Sequence, residues 1–180
     1  MWALGRSLVR RRAAQVPAGA LGRERRREPS RVFSDVREFS AAVGEHLGWS
    51  EPVLIEQRHI DQYAEFCGDR QWVHVDPELT RANGLDRTIA HGFMVLALLN
   101  DVIEDVYRID GLAVGLTCGV ERVRFPASLP VGSRVRAGVE LLSTTDSAHG
   151  CQAVLHVVVR ADDMDRPVCV ADLVILHVPA

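Results

Sequence analysis

Residues 92–107, GFMVLALLNDVIEDVY, constrain the fold more than any other stretch of this chain. The first half is apolar on every side, with Phe93, Met94, Val95, Leu96, Ala97, Leu98 and Leu99 following one another without a polar residue. A surface helix carries only an apolar stripe, so a helix of this kind has to be enclosed by other structure. Polar residues enter from Asn100 onward, and Asp101, Glu104 and Asp105 mark an exit toward solvent. The apolar run is far short of the ~20 residues that cross a bilayer, so it reads as core and no membrane partner is expected.

What can enclose this helix follows it in the sequence. Residues 113–125, 132–145, 151–160 and 167–178 are long, rich in β-branched residues and separated by ASLPVG, TDSAHG and DDMDRP, connectors of hairpin length. One of them alternates cleanly, with Val135, Ala137, Val139 and Leu141 on one face and Arg134, Arg136 and Glu140 on the other. Residues 151–160 and 167–178 are partly apolar on both faces, as central strands are. Upstream, Ser34 or Asp35 caps a short amphipathic helix carrying Val36, Phe39, Val43 and Leu47 and closed by Gly48. A strand over 53–58 follows, then a helix over 59–69 with Ile60, Tyr63 and Phe66 on one side. A further helical turn opens at Asp76-Pro77. The class is α+β: an antiparallel sheet wrapped around a long central helix.

All 21 basic residues are Arg. Residues 1–31 hold nine of them against Glu24 and Glu28, a charge of +7, so residues 32–180 carry −3 − 7 = −10. An acidic body is not the footprint of a nucleic-acid binder. The Arg-rich start resembles a mitochondrial presequence or reads as a disordered extension, including upstream sequence translated from a misplaced start. It is excluded from the fold, leaving 32–180 as one domain, cytoplasmic, or mitochondrial if the presequence is genuine. Cys67, Cys118, Cys151 and Cys169 show no paired spacing and sit among apolar or small residues, so buried thiols in a reducing compartment are expected.

Between residues 63 and 100 lies YAEFCGDRQWVHVDPELTRANGLDRTIAHGFMVLALLN. Asp69 and His74 stand five residues apart in a turn region, and His91-Gly92 opens the apolar helix. A carboxylate and an imidazole beside the free amides of a helix start are equipment for moving a proton next to a carbonyl. Taken singly each residue has a plainer reading. Gly-Asp is ordinary turn chemistry, His74 is equally a satisfied core histidine, Asp76 is an N-cap and Gly92 a turn glycine. His91 reads as positional, bonding the loop before the helix. Asp69, His74, Asp76 and His91 are all metal-ligand types but form no compact ligand motif, and no metal is expected. It is the joint spacing that favours catalysis.

That run resembles the signature of the MaoC-like dehydratases, the (R)-specific enoyl-CoA hydratase group, and is nearer to the nodulation-protein-N-like branch, in which GD-x-QW-x-HVD stands for GD-x-NP-x-H. The similarity extends over roughly residues 33–178, including VRFPASLPVGSRVRAGVELL. The resemblance implies a hot-dog fold, pairing as a homodimer through edge strands, and no cofactor. It implies reversible syn hydration of a trans-2-enoyl thioester to an (R)-3-hydroxyacyl product. Asp69 and His74 match the catalytic pair that holds one water, and Gly92 matches the residue whose N–H binds the thioester oxygen. Asn100 replaces a serine that supports the catalytic Asp, Gln71-Trp72 replaces Asn-Pro, and Cys67 and Glu121 replace Thr or Ser and Asn. The acidic body favours acyl-CoA over an acyl carrier protein as substrate. A non-catalytic acyl-binding subunit and a thioesterase are the alternative readings.

Overall fold

The computed structural model describes residues 28–180; residues 1–27, most of the Arg-rich start, lie outside it. A five-strand path, β2-β6-β7-β8-β5, forms the main antiparallel sheet from β2 (His46–Trp49), β6 (Arg134–Ser147), β7 (Gly150–Ala161), β8 (Cys169–Pro179) and β5 (Leu112–Arg124). The two-residue β3 (Val53–Leu54) adds to β6. The four long strands are the β-branched segments the sequence predicts, and Val135, Ala137, Val139 and Leu141 of the alternating one are all buried on the core face. β7 and β8 are central, consistent with their apolar character on both faces.

Against the inner face lie α5 (Gly92–Ala97) and α6 (Leu99–Val106), the expected central helix. It is broken at Leu98, a turn residue whose N–H still bonds the Met94 carbonyl at 3.2 Å. Val95, Leu99, Val102 and Val106 face the sheet and are buried. The helix is not enclosed on all sides within one chain, because Phe93 is 68% exposed. Its last expected residue, Tyr107, starts β4 (Tyr107–Ile109), which pairs in parallel with β1 (Arg31–Phe33). Arg31 is therefore part of the folded body, and the Ser30 N–H also bonds Asp105.

Tertiary pairing overrides two local expectations. The first helix, α1 (Val36–Ala41), has the Asp35 cap but stops well before Gly48. Gly44 takes a left-handed φ of 87° and its N–H bonds Leu141, which releases His46–Trp49 to pair with β6. Leu47 is still buried, from a strand rather than a helix. The strand expected over 53–58 is cut short because Gln57 already opens α2 (Gln57–Cys67). On α2, Ile60 is buried while Phe66 is 88% exposed. The thiols divide likewise: Cys151 and Cys169 are buried, Cys67 and Cys118 exposed.

Two buried polar groups mark the sheet. Asp172 lies on the outer face, where it accepts from His156 Nδ1 at 2.7 Å and from Arg122 Nε at 2.5 Å. Arg122 is the one non-glycine among the described residues with positive φ, 49°, within an irregularity of β5 between Glu121 and Arg124. The strand runs from there to Phe125, whose ring reaches the start of α5. His177 sits in the core beside Phe39 and bonds the Tyr107 hydroxyl at 3.2 Å.

Burial pushes the His177 imidazole down to about 4. A neutral buried imidazole stabilises fully above its unfolded value near 6.5, and that contribution is lost as pH falls toward the folded value. Urea unfolding between pH 7 and pH 4 should show a loss on the order of 3 kcal/mol from this group. His177→Gln, which cannot charge, should flatten that slope.

Candidate active site

α2 ends at Cys67 because Gly68 adopts a left-handed φ of 78°, with its N–H on Ala64 O at 2.9 Å. This reversal delivers Asp69 to the helix end. Asp69 Oδ1 accepts the Gln71 N–H at 3.3 Å, and one helical turn, α3 (Trp72–Val75), swings His74 back toward the carboxylate. α4 (Pro77–Ala82) follows, with Asp76 as its N-cap accepting from Glu78 and Leu79. Asp76 thus caps a helix, the role its Asp-Pro context predicts.

His74 is buried, and its Nδ1 lies 2.7 Å from the Ile89 carbonyl oxygen. A carbonyl only accepts, so Nδ1 carries the hydrogen and the neutral ring presents a bare Nε2. That nitrogen stands 3.9 Å from Asp69 Oδ2. The same reasoning applies to His91, whose Nε2 donates to the Asp69 backbone carbonyl at 2.9 Å. The His91 Nδ1 is buried without a partner among the described residues. The two imidazoles stack, with centroids 3.7 Å apart and planes 23° from parallel, and the Tyr63 ring lies 5.1 Å beyond His91.

The main chain around the pair is braced. Gln57 Nε2 donates to the His74 carbonyl at 2.8 Å, and Gln57 Oε1 accepts from the Thr88 hydroxyl. The Ile89 N–H bonds Val73 O at 3.0 Å, and the Ala90 N–H bonds Leu129 O at 2.8 Å. Gln57 and Thr88 meet from positions 31 residues apart, and the Ile89 carbonyl is a backbone acceptor with no residue type, so none of the three signals its role in the sequence.

Partial burial raises the Asp69 carboxyl, but the Gln71 N–H and side chain and the two imidazoles outweigh it, leaving it lowered and ionised. Gly92 follows His91 directly and opens α5, which has no side-chain cap. A Cβ at Gly92 would lie 2.9 Å from the Phe125 ring, so this glycine is also demanded by packing. Asn100 falls elsewhere. Its Oδ1 accepts from the Thr117 hydroxyl at 2.9 Å, and among the described residues it makes no hydrogen bond to Asp69. Donation to Asp69 would have to come from Asn100 Nδ2, and the Thr117 bond occupies only Oδ1.

Asp69, His74 and His91 place ligand-type atoms within 4.8 Å of one another. They suit a tetrahedral cation poorly. His74 Nε2 and His91 Nε2 each lie 3.9 Å from Asp69 Oδ2, but His91 Nε2 donates to the Asp69 carbonyl and has no lone pair to offer a cation.

Comparison with known proteins agrees with this fold. Residues 38–161 match the family described as MaoC like domain. The chain is 41% identical over 149 residues to 3-hydroxyacyl-thioester dehydratase Z of Mycobacterium tuberculosis, covering 82% of this chain and 99% of that protein. It is 33% identical over 139 residues to nodulation protein N of Rhizobium leguminosarum bv. viciae, covering 75% and 86%. Among solved structures, the unliganded R-hydratase PhaJ1 of Pseudomonas aeruginosa superposes with a TM-score of 0.63 at 21% identity, over 77% of this chain and 83% of that one.

Gly92→Ala should destabilise the protein by about 1 kcal/mol, because the half-exposed Phe125 ring must swing aside. Thermal unfolding of the Gly92→Ala/Phe125→Ala double variant should show the clash component relieved relative to the sum of the single changes.

Proposed function

The chain belongs to the MaoC-like dehydratase family, hot-dog hydro-lyases, and from that premise we propose that it adds water reversibly to trans-2-enoyl-CoA thioesters, giving (R)-3-hydroxyacyl-CoA. The observation that carries this reading is the His74 tautomer, with Nδ1–H on the Ile89 carbonyl and a bare Nε2 facing the Asp69 carboxylate across 3.9 Å. That gap is too long for a direct hydrogen bond and suits one water donating a hydrogen to each acceptor at ~2.8 Å. The water's lone pairs are then free to attack.

The Asp69 carboxylate and the bare Nε2 of the neutral His74 ring are the two acceptors for this water. The water oxygen bonds to C3 while one of its protons passes to the pair, and the C2–C3 π electrons move onto the thioester as an enolate. The Gly92 N–H donates to that oxygen as charge grows there. The proton just taken is then delivered to C2. Hydroxyl and proton come from one side of the substrate, so addition is syn. His91 and Asn100 stay outside the bond changes. No step requires a cofactor.

The acidic body favours coenzyme A over an acidic carrier protein as the acyl bearer. The same proposal includes a homodimer. β5 is an edge strand of 13 residues, largely exposed, with Val114 at 42% and Val120 at 38%, and a free edge of that length calls for a partner. Sedimentation should give twice the chain mass, and Gly119→Pro, which breaks edge pairing, should give the monomer.

Asp69→Asn and His74→Ala should each lower the turnover number on crotonyl-CoA by about 10²- to 10⁴-fold with the fold retained. Asp69→Asn should leave thermal unfolding little changed, and His74→Ala should lower it through the lost Ile89 bond and ring stack. Turnover at the parental level in either variant overturns the assignment.

A further inference from the structure

Asp172 is 2% exposed on the sheet face turned away from α5, a costly place for a carboxylate. Both of its oxygens are taken, Oδ1 by His156 Nδ1 and Oδ2 by Arg122 Nε and its terminal nitrogen. Burial raises the carboxyl, but the bonds from His156 and Arg122 outweigh it and leave it lowered. What this buried charge holds is a kink in β5. Arg122 has a φ of 49°, a left-handed conformation that is strained for a residue with a side chain.

The kink decides which residue faces the helix. Glu121 pairs with Asp172 and Arg124 with Val170, so β5 advances three residues while β8 advances two. In a regular ladder Arg124 would fall on the inner side, level with buried Cys169; the extra residue turns it outward and gives Phe125 that side. The Phe125 ring then lies 2.9 Å from where a Cβ on Gly92 would stand, with its centroid 5.9 Å from that of Phe93. This contact bears on the first turn of α5, which has no side-chain cap of its own. We propose that Arg122 and Asp172 are positioning residues for the thioester oxygen: their ion pair locks the bulge, the bulge presses Phe125 onto Gly92, and the Gly92 N–H is thereby held in place. The inference rests on the reading of that N–H as the oxyanion donor.

Arg122→Gly tests the lock, because glycine accepts the left-handed backbone while the guanidinium is removed. The turnover number on crotonyl-CoA should fall about tenfold or more with KM little changed. Arg122→Lys, which can still pair with Asp172, should recover most of that loss. A second readout is the absorbance of bound 2,4-hexadienoyl-CoA, which moves to the red when its thioester oxygen is held by a donor. In the Asp69→Asn background, where the dienoyl thioester is not consumed, the red shift should be present and Arg122→Gly should remove most of it. A lower melting temperature with turnover and red shift both kept overturns the proposal and assigns the pair to sheet stability alone. Absence of any red shift before Arg122 is changed removes the Gly92 donor, and the proposal with it. A shift lost in Arg122→Gly, in a protein that hydrates no enoyl-CoA, upholds the positioning and removes the hydratase.

Discussion

Two backbone carbonyls, of Ile89 and Asp69, decide what this site can do. Each accepts from one nitrogen of a different imidazole, and together they settle the tautomers of two stacked rings. Were His74 turned over, its Nδ1 would face the carboxylate and its Nε2 would be left to find a partner inside the protein. The Ile89 carbonyl is itself held, because the Ile89 N–H pairs with Val73 and the neighbouring Ala90 pairs with Leu129. His91 ties the third element in, through a bond to the Asp69 main chain from the residue just before Gly92. Acid, base and helix start are thereby one unit, and none can shift without the others.

The sheet supplies the rigidity this unit needs. β6, β7 and β8 form a continuous apolar floor for α5 and α6, so the helix start cannot drift. β5 contributes through its end: after the left-handed Arg122, anchored on buried Asp172, the strand carries Phe125 onto Gly92. The amide that would meet a developing oxyanion is therefore positioned by packing from one side and by His91 from the other. Electrostatics follow the same plan. The Asp69 carboxyl is lowered by the Gln71 N–H and the two imidazoles despite partial burial, which keeps it a base.

Much of this was legible in the sequence where a period spans many residues. The alternation Val135, Ala137, Val139, Leu141 determines a strand because a one-residue slip would expose four apolar side chains. Asp35 and Asp76 were readable as caps because the geometry is local. His46–Trp49 was not, since its strand character comes from pairing with Glu140 and Gly138 far along the chain. Phe66 fits a helical stripe yet faces water, and Cys67 and Cys118 are exposed, because burial depends on what packs opposite. In the site, the proximity of Asp69 and His74 follows from one reversal and one helical turn and could be anticipated. The stack of His74 on His91 could not, because it spans 17 residues and depends on a loop held by Leu129. Support of Asp69 by Asn100 was implied by the resemblance alone, and the bond Asn100 does make, accepting at Oδ1 from the Thr117 hydroxyl on β5, joins positions 17 residues apart and could not be read from the chain.

As proposed, the Asp69–His74 pair directs water to carbon and not to the thioester carbonyl. Turnover of crotonyl-CoA in H₂¹⁸O, followed by mass spectrometry and chiral analysis of the product, tests it most directly. Hydration by this pair should leave ¹⁸O at C3 of intact (R)-3-hydroxybutyryl-CoA. Recovery of free coenzyme A with ¹⁸O in a carboxylate would contradict it, showing that the site hydrolyses the thioester.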